Sequence, residues 1–376
     1  MPTKKILVTG GAGFIGSHLV DKLLSRGHDV TVFDNLDPQV HGDITNPPGY
    51  LAKNIHFVKG DVRYREQLKP VLEDAEVVYH LAATVGVAQS MYQIEKFYTT
   101  NTTGTAVLFD LIVNRPNSVQ KVVVASSMSI YGEGTYHCKS HGTVEPQVRL
   151  KRPKDPQDWE ITCPICHSSV HPVPTPETKR QDCTTIYALT KKDQEDMAML
   201  VGKTYGIDTT ALRLFGTYGS RQALSNPYTG VCAIFSTALL TGNSPLIYED
   251  GLQTRDLVHV NDICQALLLS MEKPEARKEI FNVGTGHAVS ILHVAKTLGK
   301  LINPEIHPSI THNFRAGDVR HITADITKIS EKLGYQPQHS FESGMKELVA
   351  WVKEQKKVED RSNRAQQELE KKGLLQ

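Results

Sequence analysis

Net charge is the first thing the chain lacks: 42 Lys+Arg stand against 41 Asp+Glu, a formal +1 over 376 residues. A near-neutral chain sets up no global field for nucleic acid or an anionic membrane, so a polyanionic partner must be met by a local group of side chains. Also missing is any uninterrupted apolar stretch of membrane length, and no apolar signal region precedes the strand-like Ile6-Leu7-Val8. A cytoplasmic protein with no membrane and no nucleic-acid partner is expected. Six cysteines are too few for a disulfide framework in a chain of this length, and Cys138, Cys163, Cys166 and Cys183 crowd into one segment. That crowding points to metal chemistry. No internal repeat is present, and the length suffices for one large α/β domain with a substantial appended lobe.

What is present is alternation. Short β-branched runs at 6–9, 30–34, 55–59, 77–81, 122–126 and 209–214 are separated by longer amphipathic stretches, which is the pattern of a doubly wound parallel sheet. An irregular stretch at 133–182, rich in Pro, His, Cys and charge, interrupts it and reads as an insertion. Residues 1–215 are therefore expected to form the sheet domain. Residues 216–354 are expected to form a smaller mixed α/β substrate lobe, with some crossing of chain between the two. Residues 355–376 read as a charged C-terminal helix or tail, solvated or frayed because apolar positions are few.

The first strand runs into Gly10-Gly11-Ala12-Gly13-Phe14-Ile15-Gly16 and then into an amphipathic helix. Glycine at this spacing allows a tight turn, backbone approach to a pyrophosphate and close helix packing, with the phosphate at the helix N-terminus. Asp34 ends the second strand, where a carboxylate accepts from both ribose hydroxyls of an adenosine. With Asn35 beside it and no cation for a 2′-phosphate, NAD is expected rather than NADP. The domain is thus a Rossmann-type sheet. Later, Tyr187-Ala188-Leu189-Thr190-Lys191 places a phenol and an ammonium on one helical face. An ammonium and an oxidised nicotinamide both favour the phenolate, so Tyr187 is a candidate general base. Lys191 is expected to hold the nicotinamide ribose as well. Ser127, at the end of the fifth strand, is a candidate to bind the reacting oxygen.

With these residues the chain resembles the extended short-chain dehydrogenase/reductase family, in its NAD-dependent epimerase/dehydratase branch, over about residues 4–350. Further family-like segments are Asp61-Val62, His80-Leu81-Ala82-Ala83, Asn101, Arg255-Asp256, Asn282-Val283-Gly284 and Arg315-Ala316-Gly317-Asp318. The resemblance implies that Asp61 and Val62 lie near the adenine, that Leu81, Ala82 and Ala83 line the cofactor, and that Asn101 belongs to the same site. It also implies that Arg255, Arg315 and Asp318 hold the nucleoside diphosphate of a substrate, which agrees with the match of guanidinium forks to diphosphate. Val85 and Gly86, Ser127 and Ser129, and Asn226 are expected on the sugar. Two departures stand out: Gly216 replaces an asparagine common in the branch, and the separation of Ser127 from Tyr187 is far longer than usual, which marks 133–182 again as inserted.

Dehydratases of this branch carry an Asp-Glu pair directly after the strand-end hydroxyl residue, and here those positions are Met128 and Ser129. Epimerisation of a nucleoside-diphosphate sugar, at C4 through a transient 4-keto sugar with tightly held NAD, is the expected reaction. The apolar loop 84–90 suits a 6-deoxyhexose, and 222–230 with the cysteine-bearing insertion is similar to the dTDP-L-rhamnose 4-epimerase-like group. A dehydratase, a keto-sugar reductase and a silent NAD-binding regulator are the alternatives. Helical segments at 101–114 and 187–205 resemble those of the family's four-helix interface, which implies a homodimer. Finally, Cys138-Lys139-Ser140-His141 and Cys163-Pro164-Ile165-Cys166 are two C-x-x-[CH] knuckles, so Cys138, His141, Cys163 and Cys166 are expected to hold a structural zinc ion in a zinc-ribbon-like insertion. His137, His167, His171 and Cys183 are neighbours with the same donor chemistry.

Overall fold

Every β-branched run becomes a strand in the computed structural model, which describes residues 2–153, 155, 158–355 and 358–376. Lys154, Pro156 and Gln157 of the expected insertion, and Lys356 and Lys357 of the expected tail, lie outside the described residues. The chain begins with β1 (Lys5–Thr9), β2 (Asp29–Asp34), β3 (His56–Lys59), β4 (Val77–His80) and β5 (Lys121–Ser127). After them come β6 (Thr135–Cys138), β7 (Gly142–Val144) and β8 (His171–Val173), then β9 (Asp208–Leu214) and β10 (Gly216–Tyr218). The remaining strands are β11 (Leu246–Ile247), β12 (Thr254–His259), β13 (Glu279–Val283), β14 (Ala288–Ser290), β15 (Ser309–Ile310) and β16 (His321–Ile322).

Seven of these form one parallel sheet in the order β13-β9-β5-β4-β1-β2-β3. Every residue of β4 and β5 is buried, as a parallel sheet covered on both faces requires. On one face Ile6, Val8, Val32, Val123 and Leu212 pack with Leu19 and Val20 of the helix Phe14–Ser25 and Ile263 and Leu267 of the helix Val260–Glu272. On the other, Leu7, Phe33, Val78 and Val124 pack with Leu108 and Phe109 of the helix Gly104–Asn114. Strand order reverses between β1 and β4, which opens a crevice at the carboxyl ends of those strands.

The smaller lobe has its own core, with Phe235, Leu298 and Leu348 on the helices Val231–Leu240, Ile291–Ile302 and Phe341–Lys353. Chain crossing between the two parts is specific: after β12 the helix Val260–Glu272 and β13 return to the main sheet, where β13 pairs with β9. The insertion folds as a three-stranded antiparallel sheet in the order β7-β6-β8. Among the described residues no helix is long and apolar enough to cross a membrane.

The tail corrects one expectation. Its helix, Ser362–Lys371, is not solvated on all sides: Ala365 and Leu369 are buried, and Leu369 and Leu375 cluster with Ala88. Phe314 and Gln376 exchange two backbone hydrogen bonds at 2.7 and 2.8 Å. Few apolar residues suffice because Ala365 and Leu369, four apart, fall on the same helical face.

One buried ion pair ties the sheet to the helix Ile186–Tyr205. Arg213 on β9 reaches Glu195 on that helix with Nη2 to Oε1 at 2.6 Å and Nε to Oε2 at 3.0 Å, and both side chains are at most 3% exposed. Ser126 donates to the same carboxylate at 2.7 Å and Gln181 at 3.0 Å, while Arg213 also donates to the Tyr131 hydroxyl at 2.7 Å and the Glu177 carbonyl at 2.9 Å. Removing one partner leaves a buried charge without compensation. Arg213→Met is therefore expected to lower unfolding stability by about 3–5 kcal/mol, read as a shifted urea midpoint; a loss within error would show that the pair is not needed.

Candidate functional site

The crevice at the strand-order reversal is a cavity of about 450 Å³. It is lined by Gly10, Gly13, Phe14, Ile15 and Gly16, by Asp34, Asn35, Asp61 and Val62, and by Leu81, Ala82 and Ala83. Two of the glycines are sterically required. Gly10 has φ +71°, and a Cβ there would lie 2.7 Å from the Ala82 nitrogen. A Cβ on Gly16 would lie 2.3 Å from the Gly10 carbonyl oxygen. Gly13 caps the helix Phe14–Ser25 with no side-chain hydrogen bond, so first-turn N–H groups face the crevice unpartnered. This cradle, which side chains would fill, fits a dinucleotide.

Asp34 is tied to the glycine turn, with Oδ2 accepting from the Ala12 N–H at 3.0 Å and Oδ1 from the Leu36 N–H at 2.9 Å. Burial raises its pKa, and those backbone donors oppose the shift. His41 lies 3.8 Å away, but burial holds its imidazole below the ordinary value. No permanent cation therefore faces Asp34 from that side. Asp61 accepts a bidentate pair from Arg63 at 3.0 and 2.8 Å and a bond from Asn35 at 3.0 Å.

Ser127, Tyr187 and Lys191 line the same cavity, and the Tyr187 phenol is hydrogen-bonded to Ser127. Ser127 ends β5 and caps the turn Met128–Tyr131, accepting from the Ser129 N–H at 3.1 Å and donating to the Ser129 hydroxyl at 3.1 Å. Tyr187 opens the helix Ile186–Tyr205, whose start is fixed by Thr185 accepting from the Ala188 N–H at 3.2 Å. Burial pushes the Tyr187 phenol up to about 12, opposed by its hydrogen bond with Ser127. The expected lowering by Lys191 is not what opposes burial here. Instead the Lys191 ammonium donates to the Ala125 carbonyl at 2.6 Å and to Gln194 at 2.8 Å, and burial pushes it down to about 7.

A buried network stands behind this lysine. Gln194 donates to Thr105 at 2.7 Å, and His80 bridges Thr9 at 2.8 Å and Thr105 at 2.9 Å with its pKa pushed down to about 3 by burial. Gln194 and Glu195 were not singled out in the sequence. Their positions three and four residues beyond Lys191 were the available signal. Asn101, by contrast, lines neither cavity. It lies in a π-helical turn (Tyr98–Thr103) and clamps the Thr84 backbone, donating to its carbonyl at 3.1 Å and accepting from its N–H at 2.8 Å. A third bond goes to Thr190 at 3.0 Å, so Asn101 supports the wall from behind.

A second cavity, of about 560 Å³, adjoins the first, and Val87, Met128, Ser129, Thr217 and Tyr228 border both. Arg255, Arg315 and Asp318 line the second alone. Arg315 is held by a bidentate bond to Asp318 at 3.0 and 2.8 Å. Arg255 donates only to backbone, to the Thr254, Arg320 and Val319 carbonyls at 2.8, 3.2 and 2.6 Å. Among the described residues no carboxylate is hydrogen-bonded to it, although Asp318 lies near enough to act on its charge, and a guanidinium so placed suits an anion. Val85, Gly86 and Asn226, expected on the sugar, border the dinucleotide cavity instead. Gly216 lines the second cavity, and a Cβ there would lie 2.8 Å from the Asp256 carbonyl oxygen and 2.9 Å from Leu257. The backbone of β10 against β12 leaves no room for the asparagine that is common at this position.

The tail supplies lining residues that local sequence did not suggest. Ser362, Gln366 and Leu369 close one side of the second cavity. Glu368 accepts from the Tyr228 hydroxyl at 2.8 Å, and Tyr228 in turn meets the Tyr92 hydroxyl at 2.6 Å.

Comparison with known proteins agrees with this arrangement. The model of the NAD dependent epimerase/dehydratase family matches residues 6–153, and that of GDP-mannose 4,6 dehydratase matches residues 168–348. The chain is 34% identical to a dTDP-L-rhamnose 4-epimerase of Burkholderia thailandensis, over 93% of this chain and 95% of that one. It is 29% identical to a UDP-N-acetyl-alpha-D-glucosaminuronate decarboxylase of Bacillus cytotoxicus, over 93% and 98%. Among solved structures, UDP-glucose 4-epimerase of Thermotoga maritima with UDP-glucose is 32% identical, with a TM-score of 0.74 over 93% of this chain and 98% of that one.

Proposed function

Because the chain belongs to the NAD dependent epimerase/dehydratase family, we propose that it interconverts C4 epimers of a nucleoside-diphosphate sugar, with NAD held in the glycine-lined crevice. NAD supplies a reversible hydride acceptor, so the hydride removed from C4 is available to return to the other face of a 4-keto sugar. Tyr187 takes the proton of the C4 hydroxyl and later gives it back, Ser127 holds the reacting oxygen, and Lys191 holds the nicotinamide ribose. Arg255, Arg315 and Asp318 orient the nucleoside diphosphate in the second cavity.

One observation carries this reading: among the described residues, those that border both cavities, next to Ser127, carry no charge. Val87, Met128, Ser129, Thr217, Tyr228, Thr229 and Gly230 are all neutral. Elimination of water requires an acid at that point, and Met128 and Ser129 offer none. A uronate or glucosaminuronate carboxylate at that junction calls for a cation beside it, and among the described residues bordering both cavities there is none. Val87 and Ala88 instead give an apolar wall, which suits a 6-deoxyhexose. Incubation with dTDP-, UDP-, GDP- and CDP-sugars, read by NMR, is expected to interconvert one pair of C4 epimers with no net reduced nicotinamide. Stoichiometric NADH, loss of water or release of carbon dioxide would overturn the assignment.

Tyr187→Phe is expected to reduce turnover by ~10²–10⁴-fold while NAD affinity, measured by calorimetry, stays near that of the parent. Full activity in this variant would remove Tyr187 from the mechanism. The same titration is expected to give tighter binding of NAD(H) than of NADP(H), since a 2′-phosphate would face the Asp34 carboxylate with His41 held neutral. The opposite preference would exclude that role for Asp34. A homodimer belongs to the same proposal: Leu189, Leu200 and Tyr205 are exposed apolar side chains on the helix Ile186–Tyr205, one of the two segments concerned, and a second copy would cover them. Light scattering is expected to return twice the chain mass, and a monomer at micromolar concentration would refute it.

A further inference from the structure

We propose that Cys138, His141, Cys163 and Cys166 bind one structural zinc ion, and that this ion fixes the insertion as a buttress for the loop that carries Arg315 and Asp318. The two knuckles, far apart in sequence, converge on one point: all four ligand atoms lie within 4.8 Å of one another. Cys138 Sγ and Cys163 Sγ are each 3.6 Å from His141 Nδ1, and Cys138 Sγ is 3.8 Å from Cys166 Sγ. Zinc–sulfur bonds of ~2.3 Å and zinc–nitrogen bonds of ~2.0–2.1 Å, set at tetrahedral angles, require edges of about 3.8 Å for S···S and about 3.6 Å for S···N. The edges match. All of these cysteines are free thiols. Three sulfurs and one imidazole fill a tetrahedron and leave no open position, so the ion braces and does no chemistry.

The insertion needs such a brace. Its apolar cluster consists of Tyr136, Cys138, Val144, Ile161 and Cys163, with Val170 partly buried beside it. Two of those five buried side chains are ligands themselves, and so small a core does not hold a three-stranded sheet alone. His167 next to the second knuckle has φ +59°, a left-handed backbone conformation uncommon for a residue other than glycine. The Ser168 hydroxyl lies 3.0 Å from Cys166 Sγ, where it can donate to a bound thiolate.

From the knuckles the sheet leads directly to the substrate cavity. Glu133, just before β6, accepts from the Arg320 N–H at 2.8 Å and the His321 N–H at 2.9 Å. The Gly317 N–H donates to the Arg149 carbonyl at 3.0 Å, and Trp159 stacks on Phe314 with centroids 6.4 Å apart. Glu160 binds both Arg320 and His321. The insertion therefore grips the stretch 314–321 at both ends and in the middle. The role given to that stretch rests on the diphosphate reading of Arg315 and Asp318, whereas the metal site does not.

Elemental analysis of protein purified without chelator is expected to find one zinc per chain, and none in the Cys163→Ser/Cys166→Ser double variant. Absence of stoichiometric zinc from the parent, or its retention in the variant, would overturn the site. Should the variant not fold, the chelated parent titrated with cobalt(II) decides: intense visible bands with thiolate charge transfer support the tetrahedral set, and a weak octahedral spectrum excludes it. Hydrogen exchange then reads the buttress independently of any activity. On zinc removal, exchange is expected to quicken in peptides covering 314–321 and to stay unchanged in those covering 10–16; unchanged exchange at 314–321 would reject the buttress even if zinc is present.

Discussion

The Arg213–Glu195 pair is the constraint from which the geometry of the site follows. A doubly buried ion pair is tolerated only when each polar atom has a partner, and here the partners come from β5, β9, the turn after β5 and the end of the insertion. Ser126 is committed to Glu195. Because side chains alternate along a strand, its neighbour Ser127 points the other way, into the crevice. On the helix, Tyr187, Lys191 and Glu195 follow at intervals of four and share one face. Anchoring Glu195 to the sheet therefore brings Lys191 to the Ala125 carbonyl and Tyr187 to Ser127. One electrostatic contact sets three candidate catalytic side chains at once.

The same economy appears at the junction of the insertion. Gly132 has φ +66°, and a Cβ there would lie 2.6 Å from the Asp182 carbonyl oxygen, so the chain leaves and rejoins the main domain through a gap only glycine fits. Immediately after it, Glu133 is fully buried and takes hydrogen bonds from Tyr136, Arg320 and His321. An insertion placed between Ser127 and Tyr187 thus leaves the Ser127–Tyr187 contact undisturbed and acts on the stretch 314–321, of which Arg315, Gly317, Asp318 and Val319 line the second cavity. The C-terminal helix closes another side of that cavity. The two cavities accordingly have separate supports, which allows the second to vary without loosening the glycine cradle.

Local spacing made the first cavity legible in the sequence. Gly16 answers to a contact within its own turn, with the Gly10 carbonyl oxygen, and Tyr187 with Lys191 to one helical face; Gly10, by contrast, is required by the approach of Ala82 after β4. The two knuckles were legible for the same reason, since each holds its ligand pair within four residues. What sequence did not show depends on contacts between distant segments. Asn101 reads as a site residue by resemblance, yet its amide is spent on Thr84 and Thr190 behind the wall. The last helix reads as solvated because its two buried positions mean nothing until Ala88 and the Phe314 backbone are beside it. Return of β13 to the main sheet could not be assigned from its own five residues, because a short apolar run fits either lobe.

Electrostatics explain why so much structure is spent on two side chains. Burial pushes the Tyr187 phenol up to about 12 and the Lys191 ammonium down to about 7, so the protein alone favours the neutral form of each. A phenol in that state is a poor base near neutral pH. Positive charge brought into the crevice beside the phenol would favour the phenolate, and the low-dielectric surroundings that created the penalty would strengthen that effect. The opposing contribution within the chain is the Ser127 hydrogen bond, which also touches the reacting oxygen in the proposed mechanism. Occupancy of the crevice and the readiness of Tyr187 to accept a proton are therefore coupled through burial, and the buried pair at Arg213 and Glu195 keeps that burial in place.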